Sequence, residues 1–269
     1  MDSVASPEVD AAPGLGGYNP TCFDEVAAVE EEHFWFRART QVISGLAKQI
    51  TAELPPGFRV LEVGCGTGNI LRALQDACPA GNITGVDYYA EGLRHASGRS
   101  SANLLQGDIR ALPFRRDFDL VGAFDVLEHL PDDVSVLRCL HALLKPGGAL
   151  LVTVPAHPSL WSYFDEYSKH CRRYTASELG TKVEEAGFRV EYLTEYMTAL
   201  LPLVWLGRKA ASLKPSGGAD SARRRSANDL RVVPVINGAL SWLCGQEARF
   251  LRARRQMPFG TSLVTIARA

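Results

Sequence analysis

Much of what would mark a membrane-spanning, secreted or nucleic-acid-binding protein is missing from this 269-residue chain. No stretch approaches the roughly 20 consecutive apolar residues needed to cross a bilayer, so no transmembrane helix is expected. The six cysteines, at 22, 65, 78, 139, 171 and 244, form no C-x-x-C pair and no ligand-spaced cluster with histidine. That pattern assigns no metal and no disulfide framework, and it fits a reducing, cytoplasmic setting. Residues 1–20 carry neither a basic n-region nor an apolar h-region; they are small, acidic and rich in glycine and proline, and read as a disordered tail rather than a leader. A basic excess is also lacking: the formal net charge is −1, and with no recognisable binding module a nucleic-acid partner is not expected.

What is present is ordinary globular composition, 46% hydrophobic and 22% charged, enough for one sizeable core with an elaboration. The charge is uneven. From residue 201 onward there are 12 Lys/Arg against 3 Asp/Glu, a net of +9, which leaves −10 for the first 200 residues. The basic end is expected to meet something anionic.

Arg59-Val60-Leu61-Glu62-Val63 is an apolar strand that runs into Gly64-Cys65-Gly66-Thr67-Gly68 and then into a helical pattern. A strand-to-helix turn packed against a ligand needs positive φ and no Cβ in the way, which glycine supplies. The dinucleotide fingerprint would require glycine at position 69; the chain has Asn69, which argues against a dehydrogenase. Some twenty residues on, Asn82 to Asp87 is a second strand ending in an acid. A carboxylate there can accept from both ribose hydroxyls, so Asp87 is the firmest single ligand contact. Further strands are expected from residue 102 up to Asp108, over 118–130 together with the functional C-terminal end of that strand, and at 149–155, 188–196 and 262–267. Helices are expected at 23–54, 68–78, 89–98, 132–144 and 175–186, the last with Thr175 and Glu178 as in a capping box. The cradle of an open parallel sheet lies at the C-terminal strand ends, which adds Phe124 and Asp125 to the candidates.

With Glu62 to Gly68, Asp87, Asp108-Ile109, Val126-Leu127-Glu128-His129-Leu130 and Leu144-Lys145-Pro146-Gly147-Gly148 in order, the chain resembles the class I S-adenosylmethionine-dependent methyltransferases. The resemblance covers about residues 33–197 and the last strand, and the Glu128-His129 string is similar to the branch that includes the ubiquinone-pathway O-methyltransferases. It implies an α/β, Rossmann-like seven-stranded mixed sheet, order 3-2-1-4-5-7-6, with helices on both faces. It also implies S-adenosyl-L-methionine as cofactor, held by Glu62, Gly64, Gly66, Gly68 and Asp87. By the same resemblance Asp108 and Ile109 meet the adenine, and the His33-Phe34-Trp35-Phe36 stretch forms a lid from which Arg39 reaches the methionine carboxylate.

For the chemistry, His129 is a candidate general base, because imidazole titrates near neutral pH; Glu128 is placed to orient it or to bind a metal, and a plain helix cap is the alternative. In Tyr163 to Thr175 the family pattern has a histidine where this chain has Phe164, and an aromatic where it has Cys171. Asp165 and His170 remain a candidate base with its orienting carboxylate, against a loop-closing hydrogen bond. Arg172 and Arg173 read as structural.

The domain reading is a methyltransferase domain at 21–198 with 259–269, and a helical insertion at 199–258 between the last two strands. The insertion has two apolar segments around Arg223-Arg224-Arg225. It is expected to cap the acceptor pocket, with an interfacial membrane element as the alternative. The implied reaction is methyl transfer to oxygen, less readily to carbon or nitrogen, of a small lipophilic or anionic acceptor, lipid or lipid-linked included. A catalytically silent cofactor-binding partner is the competing class.

Overall fold

The computed structural model describes residues 18, 20, 22–202 and 231–269. A seven-stranded sheet in the order β3-β2-β1-β4-β5-β7-β6 organises the chain. The strands are β1 (Arg59–Val63), β2 (Asn82–Asp87), β3 (Asn103–Gln106), β4 (Phe118–Phe124), β5 (Leu144–Pro155), β6 (Arg189–Tyr196) and β7 (Ser262–Arg268). The first five pair in parallel, and β7 enters antiparallel between β5 and β6. Parallel strands covered on both faces read as continuous apolar runs, which is how β1, β4 and β5 were legible.

Two apolar layers cover the sheet. On one face α2 (Phe34–Thr51), α3 (Asn69–Ala77) and α8 (Pro234–Arg252) bury Val42, Ile43, Leu46, Leu71, Cys244 and Leu251 against Val60, Leu120 and Ile266. On the other, α5 (Asp133–Leu143) and α7 (Ala176–Glu185) bury Leu137, Leu140, Leu179 and Val183 against Leu61, Val121 and Leu150. The short helices α1 (Cys22–Ala27) and α6 (Tyr163–Tyr167), with α4 (Ala90–Arg99), complete the described set.

Three expectations are corrected. The single helix over residues 23–54 is two, α1 and α2, because His33 is extended (φ −69°, ψ 130°) and its ring caps α2 by accepting from the Trp35 N–H; Glu30 meanwhile turns inward to Thr67 and Arg99. Strand β5 starts at Leu144 rather than 149, since Leu144 already pairs with Phe118 before the register shifts. The reciprocal capping box is not at Thr175, where the hydroxyl accepts from Glu178 N–H but the Glu178 carboxylate pairs with Lys182 at 3.1 Å; it forms at Ser162 and Asp165. Of the insertion, α8 is described, whereas Arg223-Arg224-Arg225 and the second half of the first apolar segment lie outside the described residues, as does most of the N-terminal tail.

Candidate active site

The glycine loop leaves β1 with Gly64, Gly66 and Gly68 at φ 70°, 49° and 80°. A Cβ on Gly68 would stand 2.7 Å from the Ala96 Cα, and one on Gly64 would stand 2.5 Å from a Val126 methyl. The turn therefore requires glycine twice over, by conformation and by close approach. Asp87, buried at the end of β2, ties the loop down: its Oδ2 accepts from Gly66 N–H and its Oδ1 from Tyr89 N–H, both at 2.8 Å. Burial pushes this carboxyl above its usual range, with the backbone N–H groups of Tyr89, Gly66 and Tyr88 opposing it. Each oxygen keeps a second lone pair for an incoming hydroxyl.

These residues wall a cavity of about 690 Å³. It is lined also by Arg39, Glu62, Asp108, Ile109, Phe124 and Asp125, so all the cofactor candidates except Gly68 face one space; Gly68 stands behind it as the left-handed residue that starts α3. Their states differ. Glu62 is 2% exposed, and its Oε2 has no protein hydrogen-bond partner. Burial drives its carboxyl well above the usual range, with Arg39 opposing. Arg39 is committed inside the protein: its Nε lies 2.5 Å from Asp125 Oδ2 and its Nη2 donates to the Phe124 carbonyl at 2.8 Å. It thereby fixes Asp125, a non-glycine residue at φ 55°, at the tip of β4. Asp108 is clasped by Arg110, whose Nη2 donates at 2.7 Å; that bond holds the Asp108 carboxyl below its usual range.

The same cavity is lined by Glu128, His129, Phe164, His170 and Arg173. His170 Nδ1 is 2.9 Å from Asp165 Oδ1. The same oxygen accepts from Arg173 Nε at 2.7 Å, and Oδ2 accepts from Ser162 N–H at 2.8 Å. Asp165 is fully buried, which would raise its carboxyl, but the bonds from His170 and Arg173 outweigh burial and hold it below the usual range. A carboxylate on Nδ1 selects the tautomer with the proton there and leaves Nε2 basic. The His129 and His170 rings meet edge to face, centroids 4.7 Å apart. Glu128 is 1% exposed with Oε2 unpartnered in the protein, and burial lifts its carboxyl well above the usual range, Asp125 adding to it. Donor atoms of Glu128, His129 and His170 lie within 4.8 Å of one another.

Arg173 also donates to the Ala156 carbonyl, and Arg172 turns away to Asp133 and Pro131, so both arginines brace the loop. Two roles escaped the sequence. Glu30, which the sequence places only within the expected helix over 23–54, is buried where it accepts from the Thr67 hydroxyl at 2.6 Å. Tyr18, read as part of the disordered tail, lines the cavity with its ring 5.4 Å from that of His129; a lone aromatic among glycines was its one signal.

The profile of the methyltransferase domain family matches residues 34–193, the span that builds β1 to β6 and most of the lining of this cavity. The chain belongs to that family. It is 31% identical over 170 residues to a probable S-adenosylmethionine-dependent methyltransferase of Mycolicibacterium smegmatis, covering 62% of this chain and 63% of the relative. It is 29% identical over 185 residues to a ubiquinone biosynthesis O-methyltransferase of Bordetella bronchiseptica, covering 65% and 64%. The matched region thus spans a little under two thirds of each of these relatives. In fold, the chain is similar to a candidate methyltransferase solved with a methyltransferase activator of Haloferax volcanii, at TM-score 0.56 and 21% identity over 92% of this chain and 97% of that one.

Proposed function

We propose that this protein transfers the methyl group of S-adenosylmethionine to an oxygen atom of a small lipophilic or anionic acceptor. One observation carries the reading: a single cavity is lined both by the glycine loop and Asp87 and by His170, whose Nδ1 meets the buried Asp165. When bound, the cofactor supplies an electrophilic methyl carbon on a sulfonium. What the protein must do is align the acceptor, exclude water and remove one proton from a hydroxyl.

Asp87 accepts from the ribose hydroxyls while its backbone donors hold the carboxylate still. Glu62, whose buried Oε2 has no protein hydrogen-bond partner, takes the ammonium of the amino-acid portion, which offsets the cost of that burial. Arg39 acts through Asp125, keeping the end of β4 in its left-handed turn. Asp108 and Ile109 close the adenine side, with the Asp108 carboxylate shared with Arg110. From the acceptor His170 Nε2 receives the hydroxyl proton, and Asp165 stabilises the imidazolium that results. His129 and Glu128 shape the floor beside it.

The name of the Bordetella relative supports oxygen as the receiving atom. The test is methyl incorporation from labelled S-adenosylmethionine into phenolic and carboxylic acceptors, alongside calorimetry. Tight binding without turnover on any acceptor would favour the silent cofactor-binding partner; tight NAD binding in place of S-adenosylmethionine would overturn the reading.

A further inference from the structure

Helix α8 has two unlike sides. At 100° per residue, Leu240, Cys244, Glu247, Ala248 and Leu251 fall on one side and pack inward. Val235, Ile236, Ala239, Trp242, Leu243 and Phe250 fall on the other, within roughly a third of the circumference, and all are exposed, Val235 at 85% and Trp242 at 65%. Scattered exposed apolar residues need no explanation, but a stripe of them along one side of a helix, a tryptophan included, marks an interaction surface. The stripe is also held still. Asn237 fastens α8 to the start of α2, its Oδ1 accepting from Phe34 N–H at 2.7 Å and its Nδ2 donating to the Glu32 carbonyl at 2.9 Å.

Charge decides between occupants. Exposed Arg231 lies just before the helix and exposed Arg249, Arg252 and Arg255 at its C-terminal end, where the Arg255 guanidinium lies 5.6 Å from the Phe250 ring centroid. Across residues 231–259 Glu247 is the sole acid, and it is buried, accepting from Thr198 N–H. A second copy seated face to face would set arginine against arginine. Residues 203–230 of this chain carry six Lys/Arg against two Asp/Glu and would not neutralise the arginines either. An anionic lipid surface satisfies both features, taking the apolar side chains below the headgroups and the guanidiniums among the phosphates.

We infer that the outer face of α8 seats on an anionic lipid bilayer. Leu240, on the inward side of the same helix, and Leu200 line the cavity, so the surface and the acceptor site share one rigid element. This deepens the methyl-transfer reading and rests on it for the acceptor: a molecule carried in or on that bilayer is the class it selects. The docking itself does not need that reading. No described helix is long and apolar enough to cross a membrane, so the association is peripheral.

The test uses the full chain with vesicles of phosphatidylcholine alone and of phosphatidylcholine with phosphatidylglycerol, some carrying brominated acyl chains. Expected are binding to the anionic vesicles only, release at high salt, and bromine quenching that disappears in Trp242→Phe. Ile236→Ser with Trp242→Ser should weaken binding at least about tenfold, as should Arg249→Gln with Arg252→Gln and Arg255→Gln. Calorimetry with S-adenosylmethionine should give parental affinity in both variants, which shows that they are folded. Absence of vesicle binding in a parent that binds cofactor overturns the docking alone. Binding indifferent to these residues overturns it too, and so does a dimer dissolved by the Trp242 change. A parent that docks but binds no cofactor would instead sink the methyl-transfer reading.

Discussion

His170 offers Nδ1 to Asp165 at 2.9 Å, and Asp165 is itself held from a second side by Arg173. The imidazole is thus fixed in tautomer and orientation, which leaves Nε2 as its acceptor nitrogen. His170→Gln should keep cofactor affinity and lower turnover by about 10² to 10⁴, the range for loss of a positioned base. Parental turnover would remove His170 from the mechanism. Asp165→Asn should do more: removing a buried partner of Arg173 costs on the order of 3–5 kcal/mol, visible as a lower denaturation midpoint before any assay.

A chelator gives a separate check on the same cluster. With no metal assigned, turnover should be unchanged after treatment with EDTA. Loss of turnover restored by a divalent ion would instead make Glu128, His129 and His170 ligands rather than acid–base groups.

Asp87→Ala removes two acceptors from the ribose and the anchor of the Gly66 and Tyr89 backbone donors. Bonds to a charged group are worth about 1.5–3 kcal/mol, so affinity for S-adenosylmethionine should fall at least about tenfold by calorimetry. An unchanged affinity would move the ribose contact elsewhere.

Glu128 carries a pH prediction. Its folded-state carboxyl titrates well above the usual range because of burial. Below the unfolded-state value, about 4.3, both states hold the proton and the group contributes no pH dependence. Above it the unfolded chain ionises first, so stability is lost as pH rises toward the folded value. Glu128→Gln should therefore raise the melting temperature of the ligand-free protein, by a margin that widens from about pH 4 upward. A constant or shrinking margin would contradict the buried, protonated state.

The backbone of the loop is testable by one methyl group. Gly68→Ala sets a Cβ against the Ala96 backbone at φ 80°. The strain should cost about 1–3 kcal/mol and weaken the cofactor site together with the fold, read by paired denaturation and calorimetry.

The strands were legible because buried parallel strands are uniform apolar runs and the breaks between them carry glycine and proline; their order in the sheet followed from the family resemblance. The ligand loop was legible because its glycines are demanded by φ and by Ala96 and Val126 rather than by composition. The division of residues 23–54 was not, since a histidine cap leaves no mark in a helical period. Nor was the burial of Glu30, whose partners Thr67 and Arg99 are chosen by tertiary packing, or the clasp of Arg110 on Asp108. Asp165 shows both sides of this. Its pairing with His170 was an open alternative in the sequence, whereas its service as the N-terminal cap of α6 and as the seat of Arg173 was visible only in three dimensions.

The long excursion between β6 and β7 leaves the sheet at Tyr196 and returns at Ser262, and these two residues are direct partners across the strands. Its two ends are therefore one strand spacing apart whatever lies between them. A segment inserted at such a point adds little closure entropy as it grows and does not disturb the register of β5, β6 or β7. The helix that lines one side of the cavity is thus mounted as an exchangeable part. Grafting the corresponding excursion from a relative should move acceptor choice and surface preference with it, leaving the glycine loop and Asp87 to hold the same cofactor.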